Sequence, residues 1–149
     1  MKSSAFFHYL SEYNAIFKQN DDLYRNLADQ FGISDSVFWI LYCIREQRDC
    51  PITQKQLCES FYMSKQTINS ALKSLERSGY ITLTPGKDRR SKFLVLTDTG
   101  TELARRTVDQ VLELEQLAIA SMGQENMEQL LVLFRCYTEA LKQQFQNTK

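Results

Sequence analysis

The chain has 149 residues, 43% of them apolar, with 18 Lys and Arg against 18 Asp and Glu, so its formal net charge is zero. That length suits one domain hiding roughly 70% of its unfolded surface, and a content of two prolines excludes collagen-like or disordered composition. A neutral total also speaks against a nucleic-acid partner, which usually shows as a basic excess.

Phe6, Leu10, Tyr13, Ile16 and Phe17 recur at helical spacing. The polar stretch 19–22 predicts an interruption, followed by a further turn or two to Phe31 and a stop at Gly32. Ser34 is placed to cap a second helix with Val37, Ile40, Leu41 and Ile44 inward, ending in the charged stretch 45–49 before Pro51. Thr53-Gln54-Lys55-Gln56 reads as a capping box opening a short helix with Leu57 and Phe61 inward. After Tyr62-Met63, Ser64 can cap another helix, with Ile68, Ala71, Leu72 and Leu75 inward and Gly79 as its end. Two short helices so closely joined predict a helix-turn-helix.

Tyr80-Ile81-Thr82-Leu83-Thr84 and Lys92-Phe93-Leu94-Val95-Leu96 then read as strands around a turn at Pro85-Gly86. The result is a β-hairpin wing whose tip is Lys87-Asp88-Arg89-Arg90. Thr97 caps a return to helix, in which Leu103, Val108, Val111, Leu112 and Leu117 run toward Gly123. A last helix carries Met127, Leu130, Leu131, Phe134, Tyr137, Leu141 and Phe145. The fold class is mainly α with a small β-hairpin wing.

The longest apolar run, 37–44, is eight residues, whereas a membrane span needs about 20. Met1-Lys2-Ser3-Ser4 leads straight into amphipathic sequence without a signal-peptide core, so a cytoplasmic chain without membrane partner is expected. Cys43, Cys50, Cys58 and Cys136 lack C-x-x-C spacing, and His8 is the one histidine. Neither a zinc site nor a disulfide framework is expected. There is no G-x-G-x-x-G, and Gly86-Lys87 is followed by Asp88, so no P-loop cradles phosphate. Any nucleophilic triad would have to use His8, read here as a partly exposed helix histidine. No enzyme, metal or cofactor is expected.

The inward stripe of the helix after Ser64 leaves Gln66, Asn69, Ser70, Lys73 and Arg77 outward, none of them acidic. Such side chains can bond base edges, Asn or Gln matching adenine bidentately. From Thr53 to Lys92 there are eight basic residues against three acidic ones, a local charge of +5 that the rest of the chain offsets. The zero is a difference between two opposed lobes, and the basic lobe is the winged helix-turn-helix.

Ser64-x-x-Thr67, Leu75-Glu76-x-x-Gly79-x-Ile81, Asp88-Arg89-Arg90 and Leu96-Thr97-x-x-Gly100 together resemble the MarR (multiple antibiotic resistance regulator) family. The resemblance implies a winged-helix repressor, or less often an activator, dimeric through its N- and C-terminal helices, on a pseudo-palindromic operator in double-stranded DNA. Residues 64–73 are expected in the major groove and the wing in the flanking minor groove, with Arg89 or Arg90 sensing groove width. The expected DNA-binding set is Thr53, Gln54, Ser64, Lys65, Gln66, Thr67, Asn69, Ser70, Lys73, Lys87, Arg89 and Arg90, with Asp88 supporting the wing by pairing with an arginine. The dimerisation lobe spans about 1–32 and 122–149, the DNA-binding lobe about 34–100, and a connecting helix about 98–121. Relatives implied by the resemblance hold aromatic acids or phenols, for which Tyr9, Tyr13, Trp39 and Tyr42 are the candidate pocket here. Two alternatives remain: a winged-helix protein-interaction module, and a redox regulator switched through a cysteine, Cys50 being the thiol expected in an exposed loop.

Overall fold

Capping chemistry sets the helix boundaries. The computed structural model describes residues 3–48, 50–60, 63–86, 88 and 90–148, with side chains from Phe6 onward. Helix α1 (Ser3–Phe31) is continuous; the interruption expected at 19–22 does not occur. Lys18 Nζ and Asp22 Oδ2, 2.6 Å apart, bridge that stretch at i, i+4, and polar residues on an exposed face leave the backbone ladder intact. In α2 (Asp35–Glu46), Ser34 Oγ accepts the Val37 amide at 3.3 Å, as a capping serine should.

A two-residue strand, β1 (Ile52–Thr53), precedes α3 (Gln54–Ser60). The capping box forms reciprocally: the Gln56 amide donates to Thr53 Oγ1 at 3.1 Å, and the Thr53 amide to Gln56 Oε1 at 2.9 Å. Helix α4 (Lys65–Arg77) starts at Ser64, whose Oγ accepts the Thr67 amide at 3.1 Å. It ends at Gly79, φ 77°, where the Gly79 amide donates to Glu76 O and the Tyr80 amide to Leu75 O. A left-handed residue with this bond pair closes the last turn and favours glycine.

The expected hairpin is strands β2 (Ile81–Pro85) and β3 (Lys92–Leu96), antiparallel. The sequence reading missed its third strand: β1 lies on the other edge of β3, with Ile52 opposite Leu94 and Thr53 opposite Phe93. Helix α5 (Asp98–Arg105) follows, then α6 (Val108–Met122) and α7 (Gln124–Gln146). The segment expected as one helix over about 98–121 is therefore two. Buried Thr107 donates its hydroxyl to Leu103 O at 2.6 Å while its amide turns to Ala104 O at 3.1 Å. A hydroxyl bonded to the i−4 carbonyl favours a bend, and the turn at 106–107 separates the two helices.

The backbone divides into two compact units, 1–109 and 110–149. In the first, Ile40, Ile52, Leu57, Ile68, Leu72, Leu75, Ile81 and Leu94 form one core behind α4. Each such side chain contributes about 1.5–3 kcal/mol when fully buried, so the inner face of α4 fixes which face is left outward. Arg45 of α2 holds the first turn of α6: its Nε and Nη2 donate to the two carboxylate oxygens of Asp109 at 2.7 and 2.6 Å. That bond keeps the Arg45 guanidinium protonated beyond its already high range. Phe6, Phe7, Leu10 and Ile16 of α1 are exposed. In the second unit α7 buries none of its residues, and Leu131, Val132, Leu133 and Phe145 are exposed. No helix among the described residues is long and apolar enough to cross a membrane.

Candidate nucleic-acid interface

On the outward side of α4, Lys65, Gln66, Thr67, Ser70 and Lys73 are all exposed, and no acidic residue interrupts them. Among the described residues no carboxylate pairs with Lys65 or Lys73. Asn69 differs from its neighbours. It is half-buried, and its Oδ1 accepts a 2.6 Å hydrogen bond from Nε2 of Gln54, the first residue of α3. Ser64 and Thr67 are partly spent on the helix start, their hydroxyls 2.8 Å apart. Thr53 serves both the β1 pairing and the α3 cap.

The turn at the wing tip is closed by the Gly86 amide donating to Ser91 O at 2.7 Å. Lys87 and Arg89 lie outside the described residues; Arg90 and Lys92 are exposed. Asp88 accepts from the main-chain amide of Arg90 at 3.3 Å through its carboxylate, and its carbonyl accepts the Ser91 amide at 3.0 Å. Among the described residues Asp88 thus meets the backbone of a wing arginine rather than its guanidinium.

At the inner end of the wing the Leu96-Thr97-x-x-Gly100 segment clasps the end of α4. Thr97 Oγ1 accepts the Gly100 amide at 3.0 Å, capping α5, and donates to Gly79 O at 2.5 Å. The Thr97 amide donates to Tyr80 O at 3.1 Å. Gly100 admits this approach because a Cβ there would collide with the Tyr80 carbonyl, 2.8 Å from its carbon. This mechanical role of the motif is not visible in its spacing alone.

Of the four candidate pocket residues, Trp39 and Tyr42 pack together. Trp39 and Tyr42 join Tyr24 and Phe38 in one aromatic cluster, with Tyr24–Trp39 and Trp39–Tyr42 centroids 5.1 and 5.4 Å apart. Tyr13 packs on Phe17 at 4.6 Å, and Tyr9 sits against His8 near the exposed start of α1. An open cavity of about 420 Å3 lies elsewhere in the first unit, lined by Phe31, Ile33, Val37, Leu103, Ser74 and Arg106 among others. Cys50 and Cys136 are exposed and Cys43 is buried, all unpaired. Burial, with the nearby Glu46 charge, pushes the Cys43 thiol above its ordinary range. Among the described residues no group of three His, Cys, Asp or Glu side chains gathers to hold a metal ion.

A helix-turn-helix with a basic outward helix and a basic hairpin beside it is a winged helix-turn-helix, an architecture suited to DNA. Residues 31–91 match the sequence profile of the MarR family. The chain is 28% identical over 111 residues to the HTH-type transcriptional regulator YwoH of Bacillus subtilis, covering 74% of this chain and 80% of that protein. Its fold resembles that of NMB1585, a MarR family regulator from Neisseria meningitidis, with TM-score 0.77 and 23% identity over 94% of this chain and 98% of that one. It also resembles MepR of S. aureus in its DNA complex, with TM-score 0.65 and 21% identity over 89% of this chain and 97% of that one. The chain is thus similar to MarR family regulators, in sequence over residues 31–91 and in fold over most of its length.

Proposed function

We propose that the protein is a homodimeric repressor of a pseudo-palindromic operator, with residues 64–73 in the major groove and the wing in the flanking minor groove. The observation that carries this reading is the outward face of α4, where Lys65, Gln66, Ser70 and Lys73 stand exposed without an acidic residue among them. Base edges are bonded by such side chains, while the wing cations suit the negative potential of a narrow minor groove. One helix-turn-helix reads one half-site; a two-fold pair reads two, about 34–36 Å apart. The uncovered apolar residues of α1 and the absence of any buried residue in α7 support a second copy as what covers them. Release by a small aromatic acid or phenol completes the reading. The Trp39–Tyr42 cluster supports it, as does a cavity of suitable size bearing the Arg106 cation.

Selection from random duplexes at fixed salt, with light scattering on the same sample, tests the reading. An enriched inverted repeat and a mass twice 17.4 kDa are the expected results. Affinity should fall about 10³–10⁵-fold between 50 and 200 mM salt if about 6–10 phosphates are neutralised. A partner protein bound with little salt dependence and no duplex binding would replace this reading by the protein-interaction module. Operator release by peroxide that Cys50→Ser abolishes would replace the aromatic effector by a redox switch.

A further inference from the structure

We propose that Gln54 is a positioning residue for base specificity: it turns the Asn69 amide so that its NH2 group faces the groove, selecting a base with a keto oxygen, guanine or thymine. The inference rests on the DNA reading above and deepens it.

An unconstrained asparagine on a reading helix favours adenine, because one amide offers an acceptor to N6 and a donor to N7 together. Here one of those edges is already engaged. Gln54 Nε2 donates to Asn69 Oδ1 at 2.6 Å, between side chains fifteen residues apart on different helices. An amide carries one carbonyl oxygen and one NH2 group, so engaging the oxygen leaves Nδ2 with its two hydrogens to face outward. Two donors fit N7 and O6 of guanine or O4 of thymine; they do not fit the N6 amino group of adenine.

The placement is built in from below. Thr53 is held by β3 on one side and by the Gln56 capping box on the other, and Gln54 is the next residue. Asn69 follows fully buried Ile68, which fixes the rotation of α4 about its own axis. The two amides therefore meet because both backbones are fixed. Gln66, Ser70 and Lys73, exposed around Asn69, carry no such internal partner among the hydrogen bonds of the described residues, so the constraint falls on one position.

The test compares duplex selection for the wild type, Asn69→Ala, Gln54→Met and Gln54→Glu at one salt concentration. Asn69→Ala identifies the base pair that Asn69 reads. At that position the wild type should prefer guanine or thymine by about tenfold. Gln54→Met removes the donor, and adenine should rise there to within about threefold of the preferred base. Gln54→Glu can only accept, so it must take the Asn69 NH2 group and turn Oδ1 outward, inverting the preference to adenine or cytosine. Asn69→Asp, approached from the other helix, should show the same inversion if a Gln54 variant folds poorly by circular dichroism. A merely structural role for Gln54 would weaken all sequences in proportion. Unchanged base preferences in every Gln54 variant, or a wild-type preference for adenine or cytosine at this position, would overturn the proposal. A wild type that enriches no sequence would instead remove the DNA reading itself, and this inference with it.

Discussion

The hydroxyl of Thr97 donates to the carbonyl of Gly79 at 2.5 Å, so the residue that starts α5 also holds the turn that ends α4. The same hydroxyl accepts from Gly100, and the Thr97 amide reaches Tyr80. Thr97→Val keeps the shape and removes the bonds, and should cost about 1–2 kcal/mol in urea unfolding, whereas Thr97→Ser should cost much less. Gly100→Ala, which drives a methyl into the Tyr80 carbonyl, should cost about 1–3 kcal/mol as an overpacking change. Near-neutral unfolding of both Thr97→Val and Gly100→Ala would show that the clasp contributes nothing.

Arg45 and Asp109 make a two-bond, partly shielded pair between α2 and the start of α6, with side chains 36% and 20% exposed. A fork of this kind is stronger than an ordinary surface pair, while its exposure keeps the value modest. A double-mutant cycle with Arg45→Met and Asp109→Asn should give a coupling of about 1 kcal/mol. Arg45→Lys should recover only part of it, because an ammonium cannot make the planar two-bond contact. Full recovery by lysine would reduce the pair to plain charge attraction.

Asp88 is a negative charge in a basic wing, yet its carboxylate accepts the Arg90 amide and its carbonyl accepts Ser91. Asp88→Ala should therefore weaken operator binding about three- to tenfold, the worth of one lost hydrogen bond in ordering the turn. Arg90→Ala should weaken all sequences similarly and lower the salt slope by about one. Equal or tighter binding by Asp88→Ala in a fluorescence anisotropy titration would leave the residue a charge and nothing more.

Exposed Cys50 and Cys136 should react with a thiol reagent quickly in the native protein, and Cys43 only on unfolding. Burial raises the folded-state pKa of Cys43 above its unfolded value. The folded state then holds the thiol proton more tightly, so its stabilising contribution is complete below the ordinary thiol range and is lost as pH rises through it toward the folded value. Cys43→Ala should flatten that alkaline decline in urea midpoint, whatever it costs at neutral pH. A Cys43 labelled as fast as Cys50 at neutral pH would contradict its burial.

Much of this molecule is legible in short polar signals. Ser34, Ser64 and Thr97 cap where a hydroxyl before an apolar period predicts it, and Gly79 ends α4 with positive φ. The outward side of α4 follows from its buried stripe by geometry alone. Strand β1 is not legible, because two residues carry no alternation. The break at Thr107 is equally hidden, since the apolar period runs on through it and its hydroxyl finds the Leu103 carbonyl only once α5 exists. Tyr9, Tyr13, Trp39 and Tyr42 look alike in sequence; that Trp39 and Tyr42 pack together with Tyr24 and Phe38 is set by the fold. The contact of Gln54 with Asn69 spans two helices, and no spacing rule connects them.

Thr53 sits opposite Phe93 in the sheet, and the next peptide bond leads to Gln54 and so to Asn69. Strand β3 is the central strand, shared by the wing and by this small edge. If the proposed DNA reading holds, a hairpin tilted by the flanking duplex would carry Thr53 with it, and Gln54 is one backbone step away. Flanking groove width and base preference at α4 would then be coupled rather than independent readings.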